Sequence, residues 1–126
     1  MKIGNCLIDW PFNDGASDFA LQEFCSSLHF SLPNDYVEFL RRSDGGEGFV
    51  NDNYLILWKL GELKVFNEEY EVDEYAPGIF LFGSNGGGEG YGFDLRSETM
   101  KIVSIPFIGM DLDCAIVVAS DFTSLF

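Results

Sequence analysis

The stretch "FGSNGGGEGYGFDL", Phe82 to Leu95, holds six glycines between two runs of large apolar residues. That density excludes a helix, since each glycine costs roughly 1 kcal/mol against alanine in a helix interior. It fits a tight turn feeding a strand. Asn85 and Gly86 to Gly88 tolerate the positive φ that hairpin turns require. Beyond them Glu89, Tyr91, Phe93 and Leu95 fall on one face, and Gly90, Gly92 and Asp94 on the other. A strand face with two glycines has no side chains to pack, so it admits another backbone, an aromatic ring or a ligand. With "IFLFGS" before it and "MKIVSIPF" after the turn-like "RSET", the stretch predicts an antiparallel meander.

Two nucleotide readings of the same residues fail. A dinucleotide loop needs G-x-G-x-x-G between a strand and a helix, and neither the spacing nor the following helix is present. An RNA-reading strand resembles "EGYGFDL", but Glu89 stands where a basic residue belongs and Asp94 where valine does. The chain carries 21 acids against 7 basic residues, a net charge of −14. Such a surface repels nucleic acid and anionic membranes and attracts basic partners at a rate that falls with salt. Solubility alone accounts for the same composition.

Two helices are expected before the first hairpin. "SDFALQEFCSSLHF" sets Leu21, Phe24, Cys25 and Leu28 at helical spacing behind Ser17 as N-cap. "LPNDYVEFLRRSDGG" opens on Pro33, places Asp35 and Glu38 early and Arg41 and Arg42 late, and offers Gly45 or Gly46 as a left-handed stop. "EGFVNDNYLILWKL" reads as a hairpin about Asn-Asp-Asn. In "GELKVFNEEYEVDEY" a short helix through Leu63, Phe66 and Tyr70 is expected to run into an acidic loop; Glu62 to Glu74 holds six acids and one lysine. At the end, Ser120 is expected to cap a helix of less than two turns, which must dock to persist.

At 126 residues the chain matches one domain, 1–126, and with 13 phenylalanines it can fill a core. Cys6, Cys25 and Cys114 fit neither a disulfide framework nor a CxxC site, which suggests reduced thiols. The start, "MKIGNCLIDWPFND", meets Asp9 before a signal-length apolar run, and no stretch approaches the roughly 18 apolar residues of a membrane span. A cytoplasmic protein without membrane association is expected.

Catalytic and metal candidates are weak. His29 follows Cys25 by one helical turn, but no orienting acid is evident and Cys25 lies on the apolar stripe. Asp111 and Asp113 form a D-x-D without calcium-loop spacing. Glu47 and Glu89, one in each "GGEG", would form a carboxylate pair only if their loops met. No catalytic residue, metal site or cofactor is assigned.

Taken in order, "LPNDYVEFLRRSDGGEGFV", "YLILWKLGEL", "NEEY", "PGIFLFGSNGGGEGYGFDLR" and "IVSIPFIGMDLDCAIVVASDF" resemble the SUKH superfamily, the Smi/Knr-like group of cell-wall regulators and bacterial immunity proteins. The likeness runs from about Phe19 to the end. It is carried by Leu32, Pro33, Gly45, Gly46, Glu47 and Trp58, and by Gly83, Ser84, Gly86, Gly87, Glu89, Tyr91 and Asp94. Asp44 stands where asparagine is common, Asn85 where aspartate is frequent, and the final helix is short. The resemblance implies an α+β fold, a mixed or mostly antiparallel twisted sheet flanked by N-terminal helices and a short C-terminal helix. For bacterial members it implies a non-catalytic immunity protein that neutralises a cognate toxin, often a nuclease with a basic cleft. The expected contact residues are Glu68, Glu69, Glu71, Asp73 and Glu74, with Tyr70 and Tyr75 as aromatic anchors. The alternatives are a regulatory or scaffold module binding a host protein or peptide, and a small-ligand protein or enzyme built around Trp58, Glu47, Glu89, Tyr91 and Asp94.

Overall fold

The computed structural model describes residues 13–50 and 52–126, together with the backbone of two short paired strands, β1 (Lys2–Ile3) and β2 (Cys6–Leu7). The side chain of Cys6 and the amino-terminal stretch read for targeting lie outside the described residues. Helix α1 (Asp18–Ser26) starts where expected: Ser17 Oγ accepts the Ala20 N–H at 3.1 Å. Helix α2 (Asn34–Arg42) follows Pro33, has Asp35 in its first turn and Arg41 and Arg42 in its last, and buries Tyr36, Phe39 and Leu40 along one stripe. Gly45, just past its end, has φ +74°, and a Cβ there would lie 2.5 Å from the Leu57 carbonyl oxygen. The chain passes too close to its neighbour for any side chain.

Next come β3 (Gly46–Val50), β4 (Asn53–Leu57), α3 (Leu60–Glu69), α4 (Val72–Tyr75), β5 (Ile79–Ser84), β6 (Glu89–Asp94), β7 (Ile102–Pro106) and β8 (Ile116–Ala119). β3 to β8 lie side by side in sequence order and every pair is antiparallel, so this sheet is not mixed. The fold is α+β, and the buried apolar side chains form one cluster.

The alternation along β6 sorts the two sheet faces. On the Phe93 face, the Tyr36 ring meets Phe82, Phe93 and Phe122 at centroid distances of 5.5, 5.2 and 5.0 Å. On the glycine face, the ring of Phe107 comes within 2.9 Å of where a Gly90 Cβ would stand. Phe107 stacks in turn on Tyr70 at 4.3 Å, with Trp58 nearby at 6.5 Å. The bare glycine face is therefore filled by an aromatic ring of the same chain.

Two expectations need correction. The acidic segment after α3 is not a loop: Glu71 takes a left-handed conformation, φ +53°, and the chain re-enters helix as α4, anchored by the buried Val72. Ser120 does not cap a terminal α-helix. The chain ends in a 3-10 turn, Thr123–Leu125, whose Ser124 N–H goes to Asp121 Oδ1 at 2.8 Å, three residues back, while Ser120 Oγ reaches only Ser124 Oγ at 3.4 Å. The turn docks through the buried Phe122 and Phe126 and through Asp35 of α2, which accepts from both the N–H and the hydroxyl of Thr123 at 2.9 Å.

Candidate functional site

The acids expected to meet a partner lie on α3 and α4, the excursion between β4 and β5. α3 is held at its start by two carboxylates: Glu62 Oε1 accepts the Lys59 N–H at 2.8 Å, and Asp44 Oδ1 accepts the Leu60 N–H at 2.7 Å. It is held midway by Asn67, whose Oδ1 accepts the Leu81 N–H and whose Nδ2 donates to the Leu81 carbonyl, both at 2.9 Å. β4 pairs with β5 only at Ile56–Ser84 and Leu57–Gly83, and Asn67 supplies the bonds a longer β4 would have made.

The left-handed Glu71 then divides the acids. Glu68, Glu71, Asp73 and Glu74 line a groove of about 430 Å³. Its apolar floor comes from Leu28 and Phe30 after α1, Ile79 and Phe80 of β5, and Leu95 after β6. Phe30 meets Phe80 edge-on at 5.2 Å and His29 at 5.2 Å. The four carboxylate residues are exposed. The ion pairs among the described residues lie elsewhere, Arg41 with Asp18 and Glu38, and Arg96 with Asp94. Lys64 also lines the groove, but its Nζ donates to Ser27 Oγ and lies 5.3 Å from the Phe24 ring centre, drawn toward α1.

Glu69, Tyr70 and Tyr75 are not part of this lining. Tyr70 is 40% exposed, with its ring stacked against Phe107 and Trp58 on the glycine face. Tyr75 is 51% exposed. The expected contact set is thus split: four acids line the groove, while Tyr70 stacks on the glycine face. Phe30 and Phe80, the floor residues, were missed by sequence reasoning because nothing in the chain signals their meeting across fifty residues.

A second groove, about 400 Å³, brings together Gly46, Glu47, Trp58, Phe66 and Ser84. Glu47 accepts a hydrogen bond from the Tyr54 hydroxyl, and that carboxylate raises the tyrosine's pKa. Glu89 is not near it. Register runs Glu47 to Ile56 to Ser84 to Gly90, so Glu47 and the Glu89 strand are three strand spacings apart, roughly 14 Å. Glu89 also alternates to the face opposite Gly90. A glycosidase-type pair is excluded. Asp94 is occupied as well: its two oxygens take the Arg96 guanidinium at 2.9 and 3.0 Å, and this pairing lowers its pKa. Tyr91 is half-buried, with its pKa raised mainly by that burial and further by Glu89. Trp58, Glu47, Glu89, Tyr91 and Asp94 therefore do not form one site.

Among the described residues no three His, Cys, Asp or Glu side chains are gathered as metal ligands, and no helix is long and apolar enough to cross a membrane. The model of the SMI1 / KNR4 family (SUKH-1) matches residues 15–126. The chain belongs to this family. No curated protein matches it.

Asp44 and Asn85 each act here through a side-chain oxygen that accepts backbone N–H groups. Asp44 uses one oxygen to receive the Leu60 N–H, which an asparagine carbonyl does equally well. Asn85 Oδ1 receives the Gly87 and Glu89 N–H groups at 2.8 and 3.1 Å, bonds that an aspartate makes in the same way. Both are capping acceptors, and the side-chain oxygen is what each position requires. Leu32, Pro33, Gly45, Gly83 and Gly86 likewise serve helix entry, close approach and turn. In this SUKH-1 chain these five positions build the scaffold, and the charged excursion between β4 and β5 stands outside them.

Proposed function

We propose that this protein is a cytoplasmic immunity protein that binds and neutralises a cognate toxin domain, a nuclease with a basic cleft, and performs no chemistry itself. Membership of the SUKH-1 family supports the class of role. The observation that carries the electrostatic part is the set of exposed carboxylates of α3 and α4, which have no cation paired with them among the described residues and flank an apolar groove. Basic clefts built for phosphate are complementary to such a surface, and complementary charge accelerates encounter and fixes orientation.

The test is co-purification from the native cells at low and high salt, with partners identified by mass spectrometry. A stoichiometric basic toxin domain, held more weakly as salt rises, is the expected result. A signalling or envelope protein would replace this reading with that of a scaffold module. Reversing Glu68, Glu69 and Glu71 to lysine is expected to slow association about tenfold or more at low salt with the fold unchanged; unaltered kinetics would remove this segment from the interface.

A further inference from the structure

Resting on the reading of a basic protein partner, we propose that the groove between α1, α4 and β5 is a receptor for one arginine side chain of that partner. Three features of the groove select this residue. The floor of Phe30, Phe80 and Ile79 is apolar and aromatic, suited to a methylene stem and to the flat face of a guanidinium. The lining includes the exposed carboxylates of Glu68, Glu71 and Glu74, none in an ion pair among the described residues, and carboxylates receive guanidinium in a two-pronged geometry that ammonium cannot reproduce. Of the other polar side chains in the lining, Asn67 is already engaged with the Leu63 and Leu81 backbone and His29 packs edge-on against Phe30, so recognition of a cation falls to the carboxylates.

The groove's own cation does not fill it. Lys64 is turned to Ser27 and the Phe24 ring, and no ion pair among the described residues engages Glu71, Asp73 or Glu74. A guanidinium is also more weakly hydrated than an ammonium, so it loses less on leaving water for an aromatic floor. Charge complementarity thus names the occupant, and the floor distinguishes arginine from lysine.

The test is an NMR titration of the intact chain with N-acetyl-arginine amide, N-acetyl-lysine amide and N-acetyl-citrulline amide, the last a neutral isostere. Arginine is expected to shift the amides of Phe30, Asn67, Glu71 and Phe80 as one saturable set. Citrulline is expected to bind about tenfold more weakly or worse, as for loss of a charge-assisted hydrogen bond, and lysine to fall between. The Glu68→Gln/Glu74→Gln variant, changed only at exposed positions, should lose the arginine response while keeping the remaining spectrum. Equal response to citrulline, shifts scattered over other acidic surfaces, or an unchanged response in the variant would each overturn the groove assignment. Those results would leave the salt-dependent partner capture standing, so the two ideas fail separately.

Discussion

The side chain of Asn67 pairs with the backbone of Leu81 as a neighbouring strand would, giving one hydrogen bond and taking one, both at 2.9 Å. Leu81 is fully buried, so neither backbone group has water as a substitute. Replacing Asn67 by leucine should cost about 2–4 kcal/mol, the penalty for stranding two buried polar groups. Urea unfolding would show a lower midpoint at unchanged slope, whereas Glu68→Gln one residue on should leave the midpoint in place.

Tyr36 carries a fully buried hydroxyl with no hydrogen-bond partner among the described residues, amid the rings of Phe82, Phe93 and Phe122. Tyr36→Phe is therefore expected to be neutral or to stabilise by about 1 kcal/mol, and Tyr36→Ala to destabilise by about 3–5 kcal/mol. Burial first, and Asp44 second, raise the pKa of the phenol far above its ordinary value. The folded state thus keeps a proton that the unfolded chain releases near pH 10, so this contribution is complete below pH 10 and lost as pH rises above it. Alkaline denaturation should be shallower in Tyr36→Phe than in the parent.

The signature glycines differ in their reasons, and substitution should separate them. A Cβ on Gly83 would lie 2.2 Å from the Ile56 carbonyl oxygen, a backbone atom that cannot swing aside, while one on Gly87 would meet only Asn85 at 3.5 Å. Gly83→Ala is expected to cost about 2 kcal/mol or more, and Gly87→Ala less than about 0.5 kcal/mol, by thermal or urea unfolding.

Asp94 and Asp121 both have lowered pKa values, the first chiefly through the Arg96 guanidinium and the second through Ser124. With the folded pKa depressed, the unfolded chain binds more protons in the acid range, so stability rises with pH there. The contribution is full above the ordinary carboxylate range and disappears as pH falls below it. Asp94→Asn should flatten the fall in unfolding midpoint between neutral pH and pH 3; a slope equal to that of the parent would show that the pair contributes nothing.

Where chain-local chemistry decides structure, the sequence was a good guide. Ser17, Pro33, Asp35 and the late arginines mark the first two helices because caps and charges act within one turn, and the glycine-rich turn dictates an antiparallel neighbour. The split of α3 from α4 was hidden because the left-handed residue is a glutamate, not the glycine or asparagine that usually announces such a break. The final turn begins at Thr123, two residues past the start that a Ser120 cap would set, with Phe122 and Phe126 buried and Asp121 accepting the Ser124 N–H. The groove was illegible for a different reason: Phe30, Phe80 and the α4 acids meet only through tertiary packing. Of the expected contact residues, Tyr70 lay in the helical stripe itself, and its stacking on Phe107 follows from that position.

Every strand from β3 to β8 pairs with its neighbour in sequence, and the charged excursion is inserted between two of them, β4 and β5. Closing a longer connection between strands that are already adjacent costs little, since the penalty grows only with the logarithm of its length. The sheet can therefore stay constant while the inserted helices gain, lose or recharge residues. A change of charge in that segment leaves the strand order untouched as long as its two straps, Asp44 to the Leu60 N–H and Asn67 to the Leu81 backbone, are kept or replaced.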